Sequence, residues 1–191
     1  SDNDTVTVKA ILPDTTMRFL GKRMFCTTSN DSAVFIAADN VTVQWYKNGT
    51  ALPGANNKRF RALSSGTYYA TVKNTEGCTL KTRSETILIE SPQTPVTYPV
   101  KYTFPDRRIG LNARAIGDTV LWRPPLFLSN EKIFTPSFTA SQLNSYLYTI
   151  RIASKAGCVT VDTQLVKVIA KVDVFVPNAF TPNKDELNDF I

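Results

Sequence analysis

Short runs in which apolar and polar residues alternate recur along the chain and predict β-strands. Two such runs lie at residues 41–45 and 68–72, and two more lie at residues 109–113 and 148–152. Because successive residues of a strand point to opposite faces, each run has one apolar face, as expected where two sheets close on a shared core. No window of eleven residues shows a convincing helical period. The pattern therefore predicts an all-β protein.

The strand pattern is repeated. Residues 66–78 and 146–158 both end in Gly-Cys, and in both a tyrosine lies ten positions before the cysteine. The two cysteines are 80 positions apart, and Trp45 and Trp122 upstream of them are 77 apart. A period of about 80 residues indicates two copies of one structural unit.

The order of strands in the first copy resembles an immunoglobulin-like sandwich. Trp45 would be the core tryptophan, and residues 64–68 (Ser-Ser-Gly-Thr-Tyr) stand where such domains have their tyrosine corner. Residues 47–50 (Lys-Asn-Gly-Thr) predict a tight hairpin turn. Ala70 and Ile150 take the place of the inter-sheet cysteine, so the antibody-type disulfide is not expected.

The two copies are assigned to residues 13–92 and 93–171. The second copy, with Trp-Arg-Pro-Pro-Leu at 122–126, is more similar to PKD-type repeats than the first. Two prolines in residues 91–95 lack backbone donors, so this segment is predicted to be the linker between the copies.

Residues 1–12 have two interpretations. Residues 4–9 resemble residues 162–167, which suggests the last strand of a preceding module. The alternative is that they form the first strand of the first copy. Both interpretations stay open at this stage.

A sorting motif follows the second copy. Residues 174–190 read VFVPNAFTPNKDELNDF and resemble the opening of the gliding-motility-associated C-terminal domain, whose pattern is roughly VPNAFTPN-x-D-x-x-ND-x-F. Lys184 and Glu186 depart from it, since the family usually has glycine there. Residues 172–191 are therefore assigned to the truncated start of a β-rich C-terminal sorting domain. The motif positions are Phe175, Pro177, Asn178, Phe180, Pro182, Asn183, Asp185, Asn188 and Asp189.

This resemblance implies an address and a class of partner. The family sorts large surface proteins of Bacteroidota through the type IX secretion system, which implies an extracellular, outer-membrane-associated location and docking on outer-membrane components of that machinery. The expected function is the non-catalytic C-terminal region of a gliding or attachment adhesin, with sandwiches as spacer or adhesive modules. The alternative is a set of accessory modules from a secreted polysaccharide-degrading enzyme with its catalytic domain upstream.

Composition narrows the chemistry. The chain has 191 residues and no histidine, the commonest general base near neutral pH and the commonest metal ligand. Its three cysteines form no CxxC pair, and no pair of acids stands out. We therefore expect no catalytic residues and no cofactor. No apolar run is long enough to cross a bilayer.

The cysteines have a predicted pairing. Cys26 and Cys78 flank one sandwich, and similar modules of Bacteroidota pair these positions, so the resemblance implies a Cys26–Cys78 disulfide. The alternative is two buried free thiols. Cys158 is expected to be a buried thiol, unless a residue outside this sequence pairs with it.

Oxygen-bearing side chains cluster in the sorting motif. Asn183, Asp185, Asn188 and Asp189 lie within seven residues, and calcium prefers oxygen-rich loops. Fewer than six ligands are visible, so a capped turn is the preferred interpretation and calcium the alternative.

The net charge of +6 raises the question of acidic partners. The densest basic segments, at residues 56–61 and 106–108, are interpreted as solvated loops, with acidic polysaccharide as the alternative. No stripe of basic and aromatic residues continues beyond them, so nucleic acid is not expected as a partner. Tyrosines that could stack on sugars are interpreted as ordinary strand residues; they are Tyr46, Tyr69, Tyr98 and Tyr102.

Overall fold

A computed structural model describes residues 11–170, and these residues form fifteen β-strands and no helix. Two separate hydrophobic cores lie between Met17 and Ile89 and between Tyr98 and Val168. We call the sandwiches around them module one and module two. Residues 11–170 are therefore all-β, as the alternation predicts.

Module one contains the first nine strands. A three-stranded antiparallel sheet has the order β1-β3-β6. The opposite sheet has the order β2-β9-β7-β4-β5, with β8 also paired to β7 and with β2 parallel to β9. The strands are β1 (Met17–Gly21), β2 (Met24–Cys26), β3 (Ala33–Ala37), β4 (Thr42–Lys47), β5 (Thr50–Ala51), β6 (Arg59–Ala62), β7 (Gly66–Lys73), β8 (Thr79–Lys81) and β9 (Glu85–Glu90).

Module two contains the remaining six strands. Its main sheet has the order β10-β15-β14-β12, in which β10 runs parallel to β15, and a two-stranded sheet pairs β11 with β13. The strands are β10 (Lys101–Thr103), β11 (Ile109–Gly110), β12 (Thr119–Arg123), β13 (Ser137–Phe138), β14 (Ser145–Ala153) and β15 (Val159–Val168). The strand predicted over residues 109–113 is shorter than expected, although Leu111 is fully buried.

The two tryptophans occupy equivalent core positions. Trp45 in β4 pairs with Ala70 in β7, and Trp122 in β12 pairs with Ile150 in β14. Both indole rings are fully buried, and each donates its ring N–H to a backbone carbonyl, at 2.8 Å from Trp45 to Asn57 and at 3.0 Å from Trp122. The prediction that both tryptophans are core residues in equivalent strands is confirmed.

Local turn chemistry in module one also follows the sequence. The turn between β4 and β5 places Asn48 at φ 50° and Gly49 at φ 86°, as a two-residue hairpin with left-handed backbone requires. The Tyr68 hydroxyl donates to the Ser64 carbonyl oxygen at 2.8 Å, which is the tyrosine-corner contact. In module two the equivalent Tyr148 instead reaches the Leu126 carbonyl oxygen at 2.7 Å, and burial raises the pKa of its hydroxyl.

Candidate functional site: the junction between the sandwiches

A disulfide bond joins the two modules. Cys26 lies at the end of β2, and Cys158 lies in the turn between β14 and β15. Their Cα atoms are 5.0 Å apart, and 132 positions separate them along the chain. Both side chains are almost fully buried, so the bond is shielded from solvent thiols.

The predicted Cys26–Cys78 disulfide is wrong. In the antiparallel β7–β9 pair, Gly66 at the start of β7 lies opposite Ile87, and Cys26 lies beside Glu90, further out at the same end. Cys78 follows the opposite end of β7, which has eight residues, so the two cysteines are separated by roughly 26 Å or more at about 3.3 Å per residue. A disulfide needs Cα atoms within about 7 Å.

The expectations for the other two thiols change accordingly. Cys158 is buried as expected, but it is bonded rather than reduced. Cys78 is exposed and carries a free thiol in the described part of the chain.

Polar contacts support the covalent bond at the junction. The Ser154 hydroxyl of module two donates to a Glu90 carboxylate oxygen of module one at 2.5 Å. The Gln93 N–H donates to the Thr160 hydroxyl at 3.0 Å. An open cleft of about 520 Å³ remains beside these contacts. The modules are thus connected by the peptide chain, by the disulfide and by side-chain hydrogen bonds.

The segment predicted to be a linker is held along β15. Three inward-facing polar residues of that strand, Thr160, Asp162 and Gln164, are buried. Asp162 accepts the Val96 N–H at 2.8 Å, and the Gln164 amide donates to the Pro99 carbonyl oxygen at 2.8 Å. Residues 91–95 therefore lead directly into a segment that is anchored to module two.

An ion pair between the partly exposed Arg114 and the buried Asp162 completes this anchor. Arg114 donates to both carboxylate oxygens of the fully buried Asp162, at 2.9 and 2.7 Å, and to the Thr94 carbonyl oxygen at 2.9 Å. The hydrogen bonds with Asp162 raise the pKa of the Arg114 guanidinium. The hydroxyl of Tyr98 accepts the backbone N–H of Arg114 at 2.9 Å, and burial raises the pKa of that hydroxyl.

The sequence carries one signal for this anchor. In β15 the residues at even positions from 160 to 168 face the core, and an aspartate at such a position needs a charged or hydrogen-bonding partner. The identity of that partner, 48 positions away, follows only from the fold.

The four tyrosines that could stack on sugars do not form one surface. Tyr46 and Tyr69 stack on each other at 4.9 Å, and the Lys81 ammonium lies 3.8 Å from the ring centre of Tyr69. Because β4 and β8 flank β7 on opposite sides, both faces of the Tyr69 ring are covered. Tyr98 belongs to the anchor, and Tyr102 is exposed. Polysaccharide as a partner stays a prediction.

The basic segments lie at strand edges and turns. Residues 56–61 lead into and include most of β6, an edge strand of the three-stranded sheet, and Lys58 forms an ion pair with Asp39. Charged side chains on an edge strand discourage pairing with other chains. Residues 106–108 lie in the turn after β10.

Several expected features lie outside residues 11–170. These are the sorting motif, with Phe175, Pro177, Phe180 and its other positions, and the calcium candidates Asn183, Asp185, Asn188 and Asp189. Most of the N-terminal segment 1–12 lies outside as well. Within the described range no three acidic or cysteine side chains come together as metal ligands, and no helix there could span a bilayer.

Comparisons with known proteins give similarities of fold only. No protein-family model matches the chain, and no curated protein matches it. Among solved structures, it is 14% identical to immunoglobulin domains 1–4 of Sidekick-1, with a TM-score of 0.36 over 88% of this chain and 48% of that one. Against the fibronectin(III)-like modules of Clostridium thermocellum CbhA the identity is 10% and the TM-score 0.34, over 86% and 100% of the two chains.

A bacterial adhesin is also among the similar structures. A structure from a 1.5-MDa bacterial ice-binding adhesin is 13% identical, with a TM-score of 0.31 over 80% of this chain and 65% of that one. The chain spans about half of the Sidekick-1 structure and about two thirds of the adhesin structure. At these values the similarities carry no argument about activity, ligand or location. The strand order and the core tryptophans of both modules, together with the tyrosine corner of module one, identify the modules as immunoglobulin-like sandwiches.

Proposed function

We propose that this chain is a non-catalytic spacer from a cell-surface adhesin, exported by the type IX secretion system and held at the outer membrane. The observation that carries the proposal is the buried disulfide between the two sandwiches. Such bonds form and persist in oxidising compartments, which supports a location outside the cytoplasm. The junction joins the modules mechanically, through the disulfide and the side-chain hydrogen bonds around it.

The mechanical role follows from the double connection. Two domains joined by one peptide segment move relative to each other by default. Here the Cys26–Cys158 bond and the anchored segment after Pro95 connect the modules at two places. A stiff pair of sandwiches holds whatever lies at its ends at a fixed separation, which is what a surface spacer requires.

Export is assigned to the motif at residues 174–190 by its resemblance to the type IX sorting domain. We propose that this segment docks on an outer-membrane component of the secretion machinery. Pro177 and Pro182 each lack a backbone donor, which suits an extended segment that adds to the edge of a partner's sheet.

The experiment is an export assay in a type IX-competent bacterium. A reporter is fused to the complete C-terminal region, and Phe175, Pro177, Phe180 and Asn183 are replaced together by alanine. The expected result is loss of the reporter from the cell surface with the sandwiches still folded. The matched control replaces Lys184 and Glu186 by glycine, the usual residues of the family, and should leave surface display intact. Surface display of the alanine variant would show that the motif is not a sorting element.

A further inference from the structure

The exposed Cys78 lies in the same turn conformation as the bonded Cys158. In module one Asn74 N–H donates to the Cys78 carbonyl oxygen at 3.1 Å, and Gly77 has φ 90°. In module two Ser154 N–H donates to the Cys158 carbonyl oxygen at 2.9 Å, and the glycine before the cysteine has φ 83°. The two cysteines therefore occupy equivalent positions, at the end of each sandwich where the chain enters its first strand.

The surface beside each turn is also equivalent. In module two the residue that opens the turn, Ser154, holds Glu90 from the segment that enters the module. In module one the turn opens with Asn74, whose side-chain amide donates to the Ile11 carbonyl oxygen at 2.8 Å. Ile11 likewise belongs to the segment that enters module one.

An open groove lies beside the turn of module one, as a cleft lies beside the turn of module two. Its volume is about 580 Å³, and residues 11–14 and 74–76 form part of its lining. The apolar side chains of Ile11 and Leu12 are 56% and 64% exposed here. In module two the corresponding end is occupied by module one. Among residues 11–170 nothing covers this end of module one, which has the features of one side of a junction.

We propose that Cys78 forms an inter-module disulfide with a like sandwich on the N-terminal side of module one, through a cysteine equivalent to Cys26. The occupant of the groove is then the C-terminal end of that sandwich. Formation of the bond removes two thiol protons and two electrons, which a protein or small-molecule disulfide oxidant accepts as it is reduced to thiols. The Cys26–Cys158 bond needs the same oxidation, so no further chemistry is required.

The series of disulfides ends at module two. Gly66 pairs with Ile87, and Tyr146, which is 80 positions after Gly66, pairs with Val166. In this alignment the position of Cys26 is taken by Phe104. Module two therefore receives a disulfide from its N-terminal neighbour and cannot offer one to a domain that follows it.

The first test uses the native polypeptide that carries these residues. It is isolated from the cells that make it, alkylated without reduction, digested and mapped by mass spectrometry. The expected result is a Cys78 peptide linked to a cysteine peptide that precedes residue 1 in the polypeptide. A free Cys78, a Cys78 capped by a small thiol, or a Cys78–Cys78 dimer would overturn the proposal.

The second test builds the junction within the full chain. A copy of residues 11–90, with its own Cys78 replaced by serine, is inserted before Ile11, so that the copied Cys26 precedes the original Cys78. Maleimide labels Cys78 in the parent chain and should no longer label it in the extended chain. The matched control carries Cys26→Ser in the copy and should be labelled. Equal labelling of both chains, while Cys26–Cys158 is intact, would contradict the proposal. The inference rests on the disulfide architecture and not on export, so failure of the sorting assay leaves it standing.

Discussion

Cutting the disulfide should destabilise both sandwiches, although it lies in neither hydrophobic core. The perturbation is the double substitution Cys26→Ser and Cys158→Ser. Both residues are buried at the junction, and the cores on either side share no residues. Each module therefore keeps its own packing, and the loss comes from freedom gained by the unfolded chain.

The magnitude follows from the ring that the bond closes when one module unfolds. If module two unfolds while module one stays folded, the ring runs over 68 residues, from Glu90, which is paired beside Cys26, to Cys158. If module one unfolds instead, the ring runs over 67 residues, from Cys26 to Gln93, which is held at Thr160. For rings of this size, chain entropy gives about 4 kcal/mol for each module.

Hydrogen exchange read by mass spectrometry measures both modules in one experiment. The free energies of opening are compared for peptides covering β7 and β14, in a Cys78→Ser background that prevents thiol exchange. Both should fall by about 4 kcal/mol in the double variant, a large part of the 5–15 kcal/mol typical of a domain. Cys78→Ser alone should change either value by less than about 0.5 kcal/mol, because that side chain is exposed and unbonded.

Two results would refute the reasoning. A loss confined to one module would show that the disulfide acts through local packing rather than through the closed ring. No loss in either module would show that the bond does not restrict the unfolded chain under these conditions.

Three further predictions concern the core tryptophans, the Arg114–Asp162 pair and the pH dependence of stability. Truncation of Trp45 or Trp122 to alanine should cost about 3–5 kcal/mol in its own module and little in the other, measured by the same exchange experiment. Asp162→Ala removes the carboxylate partner of Arg114 and leaves the Val96 N–H without its acceptor, so it should lower the stability of module two in urea unfolding by about 1–3 kcal/mol. The hydrogen bond from Arg23 lowers the pKa of Glu85 from its ordinary 4.5, so the stability from this pair is present above that pH and lost as pH falls through the lower folded-state value. Acid unfolding of Glu85→Gln should lack this component, and an unchanged pH dependence would contradict the assignment.

Much of the fold could be predicted from local pattern. Alternation identified β4, β7 and β14 because each has one face in a core, and the 80-residue repeat aligned Trp45 with Trp122. The strand at residues 109–113 was overestimated, because its regular pairing with β13 ends after two residues. Alternation reports which side chains are buried and does not report how far a partner strand continues.

The junction could not be predicted in the same way. The cysteine pairing depended on which end of a sandwich each residue occupies, and this is set by the parallel pairing of β2 with β9. A resemblance to modules with an internal disulfide pointed to the wrong partner for Cys26. The Arg114–Asp162 pair was missed because its members are far apart in sequence and only Asp162 stands out, as an acid in an inward-facing position.

The central claim is that the disulfide makes the two sandwiches one stiff spacer, and a distance distribution tests it most directly. Spin labels are introduced at Thr75 and Leu143, which are exposed residues in different modules, by a chemistry that does not use cysteine. Pulsed electron-electron double resonance should give one narrow distance peak for the chain with Cys26–Cys158 intact. The Cys26→Ser and Cys158→Ser variant should give a clearly broader distribution with both modules folded. A broad distribution with the bond intact, or an equally narrow one without it, would contradict the claim.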